Sequence, residues 1–231
     1  PGARARDARV PAGTLPTAPP PAATPAGPAS RHRAIGAAPD ALAAATGTLR
    51  ACTLCAAHLP LGPRPIFQLD RRARLLITSQ APGTLAHASG IPFDDPSGER
   101  LRDWLGIGRD VFYDPARVAI LPTGLCYPGR LPKGGDAPPR PECAPHWHPR
   151  LLPLLGDVRL RLLVGGYAVR LVLGRDAALE PAVRGFARHL PRHFPLPHPS
   201  WRTRAWAARN PWFEAEVLPA LKAEVARALA G

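Results

Sequence analysis

Three short segments of this chain hold side chains that can do chemistry. Ser79-Gln80-Ala81-Pro82-Gly83 follows an apolar run, Leu75-Leu76-Ile77-Thr78, and breaks at a Pro-Gly pair. Gly90-Ile91-Pro92-Phe93 sets an aromatic ring directly before two carboxylates, Asp94 and Asp95. Leu196-Pro197-His198-Pro199-Ser200 holds an imidazole between prolines, which restrict the backbone on both sides. A loop of backbone amides and small side chains after a buried strand is where α/β proteins seat ligands, and Phe93 and His198 are the candidates to face it.

A fourth set is Cys52, Cys55, Cys126 and Cys143, a Cys-x2-Cys pair followed by a wider pair. Four thiolates can hold tetrahedral zinc or an iron–sulfur cluster. Zinc usually takes two tight pairs, and the Cys126 to Cys143 gap is wide for that. Four buried, unligated cysteines are the plain alternative.

Positioning these segments requires strands that end at a common edge. Asp40 can cap a helix from Ala41 to about Ala51. Strands are predicted over Leu75 to Thr78, Val118 to Leu121, Leu160 to Val164 and His193 to Leu196, from apolar runs bounded by turn residues. Helices are expected from Glu99 to Leu105, Pro141 to about Leu155, Tyr167 to Leu173, about Glu180 to Phe186, and Pro211 to Ala230. The helix from Glu99 would turn Leu101, Trp104 and Leu105 to one face, and Asp95 can start it. Strands alternating with helices imply an α/β three-layer sandwich around a mainly parallel four-stranded sheet. The ends of its strands lie along one edge, which brings Gln80, Pro122-Thr123 and His198 together.

The 231 residues suffice for one sizeable domain. Residues 1–39 are rich in Pro, Ala and Arg with few large apolar side chains, so a disordered tail is expected there and a folded domain over 40–231. The net charge is +13, and Lys133 and Lys222 are the only lysines. That balance fits a polyanionic partner such as nucleic acid, and equally a biased codon pool. No apolar stretch is long enough for a membrane helix, and the N-terminus lacks the apolar core of a secretory signal. A cytoplasmic, nucleoid-associated bacterial protein, monomeric, is expected. The missing initiator Met suggests a trimmed or incomplete start.

Taken jointly and in order, these segments resemble the uracil-DNA glycosylase superfamily from about Leu49 to Leu229. The cysteine layout is similar to that of its iron–sulfur branch, family four. Ser79-Gln80-Ala81-Pro82-Gly83 resembles the first motif, Gly-Glu-Ala-Pro-Gly. Gly90-Ile91-Pro92-Phe93 resembles the Gly-Arg-Pro-Phe segment, and His198-Pro199-Ser200 the second motif. Val164-Gly165-Gly166-Tyr167-Ala168 resembles the third strand and its helix. The departures are Ser79-Gln80 in place of Gly-Glu, Pro122 where family four has an Asn that reads the base, and Trp201-Arg202-Thr203-Arg204 where relatives carry a Pro and an apolar wedge; Ala81, as in family four, stands where classical members carry an acid.

The resemblance implies a monofunctional DNA glycosylase, a hydrolase of base excision repair that flips out and excises uracil or a related deaminated base. It implies Cys52, Cys55, Cys126 and Cys143 as ligands of a 4Fe–4S cluster, with zinc as the alternative. Phe93 would stack on the base, with Gln80, Ala81, Pro82, Gly83 and Thr123 beside it. His198 would donate to a base oxygen. Asp94 or Asp95 would take over the water-positioning role of the missing acid, unless Asp95 serves only the helix start. Ser200, Trp201, Arg202 and Arg204 would meet the DNA backbone, with Trp201 or Trp206 as a wedge. Pro122 opens a second possibility, an altered base such as hypoxanthine. Pro122 and Ala81 together open a third, a non-catalytic iron–sulfur protein that binds nucleic acid.

Overall fold

The structure, a computed structural model, describes residues 40–230. The tail expected over residues 1–39 lies outside the described residues.

The first helix, α1 (Ala41–Arg50), is capped by Asp40, whose carboxylate accepts the Leu42 N–H at 3.1 Å. Then follow β1 (Leu75–Thr78), α2 (Thr84–Ser89), α3 (Pro96–Leu105), the single turn α4 (Arg109–Phe112) and β2 (Val118–Ile120). The second half comprises α5 (Cys143–Leu151), β3 (Leu160–Val164), α6 (Gly166–Leu173), α7 (Leu179–Arg184), β4 (His193–Leu196), α8 (Arg202–Arg209) and α9 (Leu218–Leu229). All four expected strands form.

The sheet order is β2-β1-β3-β4 and every pairing is parallel. The chain moves outward from β1 to β2, then crosses back to β3 and β4. The order therefore reverses between β1 and β3, where a crevice opens at the strand ends.

Alternation along the strands divides the core between two faces. Leu75, Ile77, Leu160, Leu162 and Phe194 pack with Leu101 and Leu105 of α3 and Leu221 and Val225 of α9. Leu76, Ala119 and Leu121 pack on the other face with Leu42 and Leu49 of α1 and Trp147 and Leu151 of α5. Each fully buried Leu contributes about 1.5–3 kcal/mol of transfer free energy. The result is the α/β sandwich, with a helical layer on each side of the sheet.

Three differences from the sequence expectation have local causes. The final helix runs from Trp212 to Leu229 close to the expected bounds, but its first part, Phe213–Val217, is wound as a π-helix that leads directly into α9 with Pro219 in its first turn. Short α2 and α4 lack side-chain caps and so left little trace in the sequence. Arg202 and Arg204, read in the sequence only as DNA contacts after the His motif, stand on a helix, Arg202–Arg209, whose Ala207 packs into the core.

Candidate functional site: a cavity at the strand ends

The loops after β1, β2 and β4 enclose a cavity of about 80 Å³. That is room for several waters, the scale of one small ring. Its wall contains all of Ser79, Gln80, Ala81, Pro82 and Gly83, together with Phe93, Asp95, Pro122 and His198. Segments far apart in sequence thus meet on one small volume.

The loop after β1 is locked from the β2 side. The Thr123 hydroxyl donates to the Gln80 carbonyl at 2.6 Å, the Gly124 N–H donates to the same oxygen, and the Thr123 N–H donates to Ser79 O. Thr123 is therefore spent on holding the loop and does not line the cavity, in contrast to its expected place beside a base. No hydrogen bond engages the Gln80 side-chain amide among the described residues, so it is available to a guest.

Phe93 is 8% exposed and forms a cavity wall, its ring edge-on to Phe112 at 6.1 Å. Its φ is +56°, strained for a bulky residue. Two contacts hold it there. Tyr113 donates its hydroxyl to Phe93 O at 3.0 Å. Gly98 approaches so closely that a Cβ on it would lie 1.8 Å from that same oxygen.

The two carboxylates part company. Asp95 lines the cavity and caps α3, accepting the Gly98 N–H at 2.8 Å. The cap is the helix-starting use expected of it. Asp94 does not line the cavity; its carboxylate pairs with Arg109 at 3.1 Å on the outside. That pairing corrects its expected place beside the reacting atoms.

His198 hangs from a loop fixed at its backbone. Thr203 Oγ1 and the Ser200 N–H both donate to the His198 carbonyl. Arg100 of α3 donates to Ser200 O at 2.6 Å and to Pro199 O at 3.3 Å. Gly165, at φ +90°, makes room for the ring: a Cβ there would stand 3.4 Å from the His198 Cβ. Burial pushes the imidazole down to about 4, with the Asp95 charge pulling the other way. The ring is therefore neutral at pH 7, and its nitrogens have no hydrogen-bond partner among the described residues.

Beneath the cavity lies a polar network that the sequence did not disclose. His148 Nε2 lies 2.9 Å from Pro122 O, and Arg161 Nη2 lies 3.3 Å from His148 Nδ1. Arg161 Nε donates to Thr78 Oγ1 at 2.9 Å. A guanidinium only donates, so Nδ1 accepts and Nε2–H donates to Pro122. Burial, with the Arg161 charge adding to it, holds His148 down to about 4 against the pull of the Pro122 carbonyl. Burial lowers Arg161 to about 10, still a cation at neutral pH.

Outside the cavity runs a groove of about 340 Å³ lined by Arg100, Arg204, Trp201 and Leu85. Trp201 is 72% exposed, and Arg202 lies over its ring at 5.2 Å. Ser200 does not line the groove; its carbonyl is held by Arg100. Trp206 packs against the core and donates to Glu180, so it is not free to act as a wedge.

The cysteines come from the loop after α1, the loop after β2 and the start of α5. Their thiols feel one another's charge, which with burial raises Cys55, lifts Cys126 to about 11 and lifts Cys143 to about 12. Burial is the largest cause in each case. Three sulfurs accept N–H groups: Cys52 from the Trp147 indole at 3.3 Å, Cys143 from Leu125 at 3.4 Å, and Cys126 from the Arg64 backbone. Among the described residues, no group of three or more His, Cys, Asp or Glu side chains is arranged as a metal site. Four thiols are soft donors of the kind a thiolate-ligated centre uses, and N–H groups meet three of them.

Parallel strands thus end on a small, walled cavity with an unpartnered imidazole, beside a groove that carries Arg100 and Arg204 together with Asp95 and Asp136. A family model described as the uracil DNA glycosylase superfamily matches residues 66–222, more than half of the chain. The chain belongs to that superfamily, whose members are DNA glycosylases, hydrolases that act on DNA and remove deaminated bases. Cys52 and Cys55 lie before the matched stretch, and Cys126 and Cys143 lie within it. No helix among the described residues is long and apolar enough to cross a membrane.

Proposed function

We propose that this protein is a monofunctional DNA glycosylase that excises uracil, or a closely related deaminated base, and that it belongs to the iron–sulfur branch of its superfamily. The observation that carries this reading is the convergence of the first-motif loop, Phe93 and the unpartnered His198 on one cavity. The flipped base enters the cavity and stacks on Phe93. Gln80 offers its side-chain amide to the base edge, and Ala81, Pro82 and Gly83 form the wall. As the glycosidic bond lengthens, negative charge collects on the base. A neutral imidazole held rigidly against that charge donates its N–H and lowers the barrier. Asp95, on the same cavity, faces the positive charge on the sugar. Trp201, Arg202 and Arg204 receive the flanking strand, and Ser200 shapes the turn that carries His198.

Cys52, Cys55, Cys126 and Cys143 would hold a 4Fe–4S cluster, or zinc in its place. When bound, the centre ties the α1 end, the loop after β2 and the start of α5 together; base hydrolysis moves no electrons through it. Absorbance near about 400 nm in protein purified without oxygen is expected for the cluster, and its absence with zinc present would support the alternative.

A second reading rests on Pro122. It occupies the cavity wall without a side-chain donor, and His148 engages its carbonyl. A base other than uracil, such as hypoxanthine, would need no amide at that position. The test is incubation of the protein with labelled duplexes carrying U:G, hypoxanthine or no lesion, and with uracil in a single strand, followed by alkali. Cleavage at uracil supports the lead, and cleavage at hypoxanthine alone supports the second reading. Binding without cleavage of any substrate would defeat the enzymatic reading.

A further inference from the structure

The Gly/Pro-rich loop between β2 and α5 brings a carboxylate to the cavity that no motif announced. Asp136 lines the cavity that holds His198 and Phe93, and it also lines the adjoining groove that holds Arg100, Arg204 and Trp201. Among the described residues, only Gly83, Asp95, Ser97 and Asp136 border both spaces. If the base occupies the inner space and the phosphates the outer one, the bond between base and sugar lies at this shared rim.

The two rim carboxylates are not equivalent. Asp95 is committed to the Gly98 N–H at the start of α3. The Asp136 carboxylate has no hydrogen bond or ion pair among the described residues. Its oxygen reaches to 3.5 Å of where a Cβ on Gly83 would stand, so the glycine of the first-motif loop leaves it room. The Arg202 guanidinium rests beside Gly135, at 3.2 Å from the place of a Cβ there, which sets this loop next to α8.

We infer that Asp136 is the catalytic residue that orients and deprotonates the attacking water, in place of the acid missing at Ala81. The inference rests on the glycosylase reading above. In the step, the water oxygen forms a bond to the sugar C1′ and the bond from C1′ to the base nitrogen breaks. Its electron pair leaves with the base, steadied by the His198 N–H, and the water proton passes to the Asp136 carboxylate. No oxidant, reductant or metal is required.

The groups that set the charge of Asp136 are Arg130 on its own loop, Arg202 from α8, Asp95 at the head of α3 and Tyr127 from the loop after β2. Burial and Asp95 raise its pKa above the ordinary carboxylate range, while Arg130 and Arg202 oppose them. A carboxylate must be ionised to take the water proton, so the rate carries an acid limb.

The experiment is single-turnover excision from the best substrate in the lesion series, with the full-length chain in saturating excess, across pH. Asp136→Asn should slow excision by about 10²-fold or more, the scale of general-base catalysis. DNA affinity and thermal midpoint should hold, the acid limb should disappear, and Asp136→Glu should recover part of the rate. An unchanged rate with the acid limb intact in Asp136→Asn would overturn the inference while leaving the glycosylase reading standing. So would a loss confined to Asp95→Asn. A wild-type chain that excises no base overturns both.

Discussion

Two histidines in this molecule share a depressed pKa and nothing else. His198 and His148 are each pushed down to about 4 by burial, so both rings are neutral at pH 7. His148 spends both nitrogens inside the protein, between Arg161 and the Pro122 carbonyl. His198 spends neither and faces a cavity. One region is a closed network beneath the sheet edge, and the other is an open socket above it. Burial alone therefore does not mark a functional histidine. An unspent hydrogen bond in a space large enough for a guest does.

Substitution should separate the two regions. His198→Ala should reduce excision by about 10²- to 10³-fold, the scale for loss of one preorganised donor. Its thermal midpoint should barely move, because no protein bond is lost. Single-turnover kinetics beside thermal melts measure both quantities. Equal damage to rate and stability would erase the distinction.

His148→Ala should do the reverse. It leaves the Pro122 carbonyl and one Arg161 donor unsatisfied, at a cost of about 1–3 kcal/mol in denaturant unfolding. Excision by the remaining folded protein should fall far less than in His198→Ala.

The pH dependence sharpens the pairing. Each ring has a folded pKa of about 4 against an ordinary 6.5, so the unfolded chain binds more protons between those values. Stability from both rings is full above about 6.5 and is lost as pH falls towards 4. His148→Gln should flatten that acid slope in urea melts, and an unchanged slope would show that His148 is not buried neutral.

The smallest effect belongs to the groove. Arg204→Ala should reduce the slope of log affinity against log salt by about 0.7–0.9 if it neutralises one phosphate, with little change in the excision step at saturation. A steeper loss for lesion DNA than for undamaged DNA would instead place Arg204 in base recognition.

Much of this site was legible in sequence because it is carried by strand ends. Apolar runs disclosed β1, β2, β3 and β4, and parallel pairing then forces the loops that follow them to one edge. Cavity walls at Gln80, Phe93 and His198 came from that rule together with the motifs. What stayed hidden depends on spatial partners. Thr123 looked available until its hydroxyl was found on Gln80 O, and Asp94 until Arg109 was found beside it. Arg161 sits in an apolar strand, and its acceptor ring on α5 is fixed only by how α5 packs on the sheet. Asp136 lies in a loop of glycines and prolines with no periodicity to read. The close approach of Gly98 to Phe93 is likewise a fact of three dimensions. The helical form of Arg202 to Arg209 did not show because no side chain caps its start.

The most direct measurement is the titration of the two imidazoles by nitrogen and carbon NMR of labelled protein between about pH 3 and 8. Both rings should remain neutral down to the neighbourhood of 4. On addition of DNA carrying a non-cleavable lesion, the His198 resonances should move and those of His148 should stay. A His198 that titrates near its ordinary 6.5, or that ignores the lesion, would contradict its place as the neutral donor of the cavity.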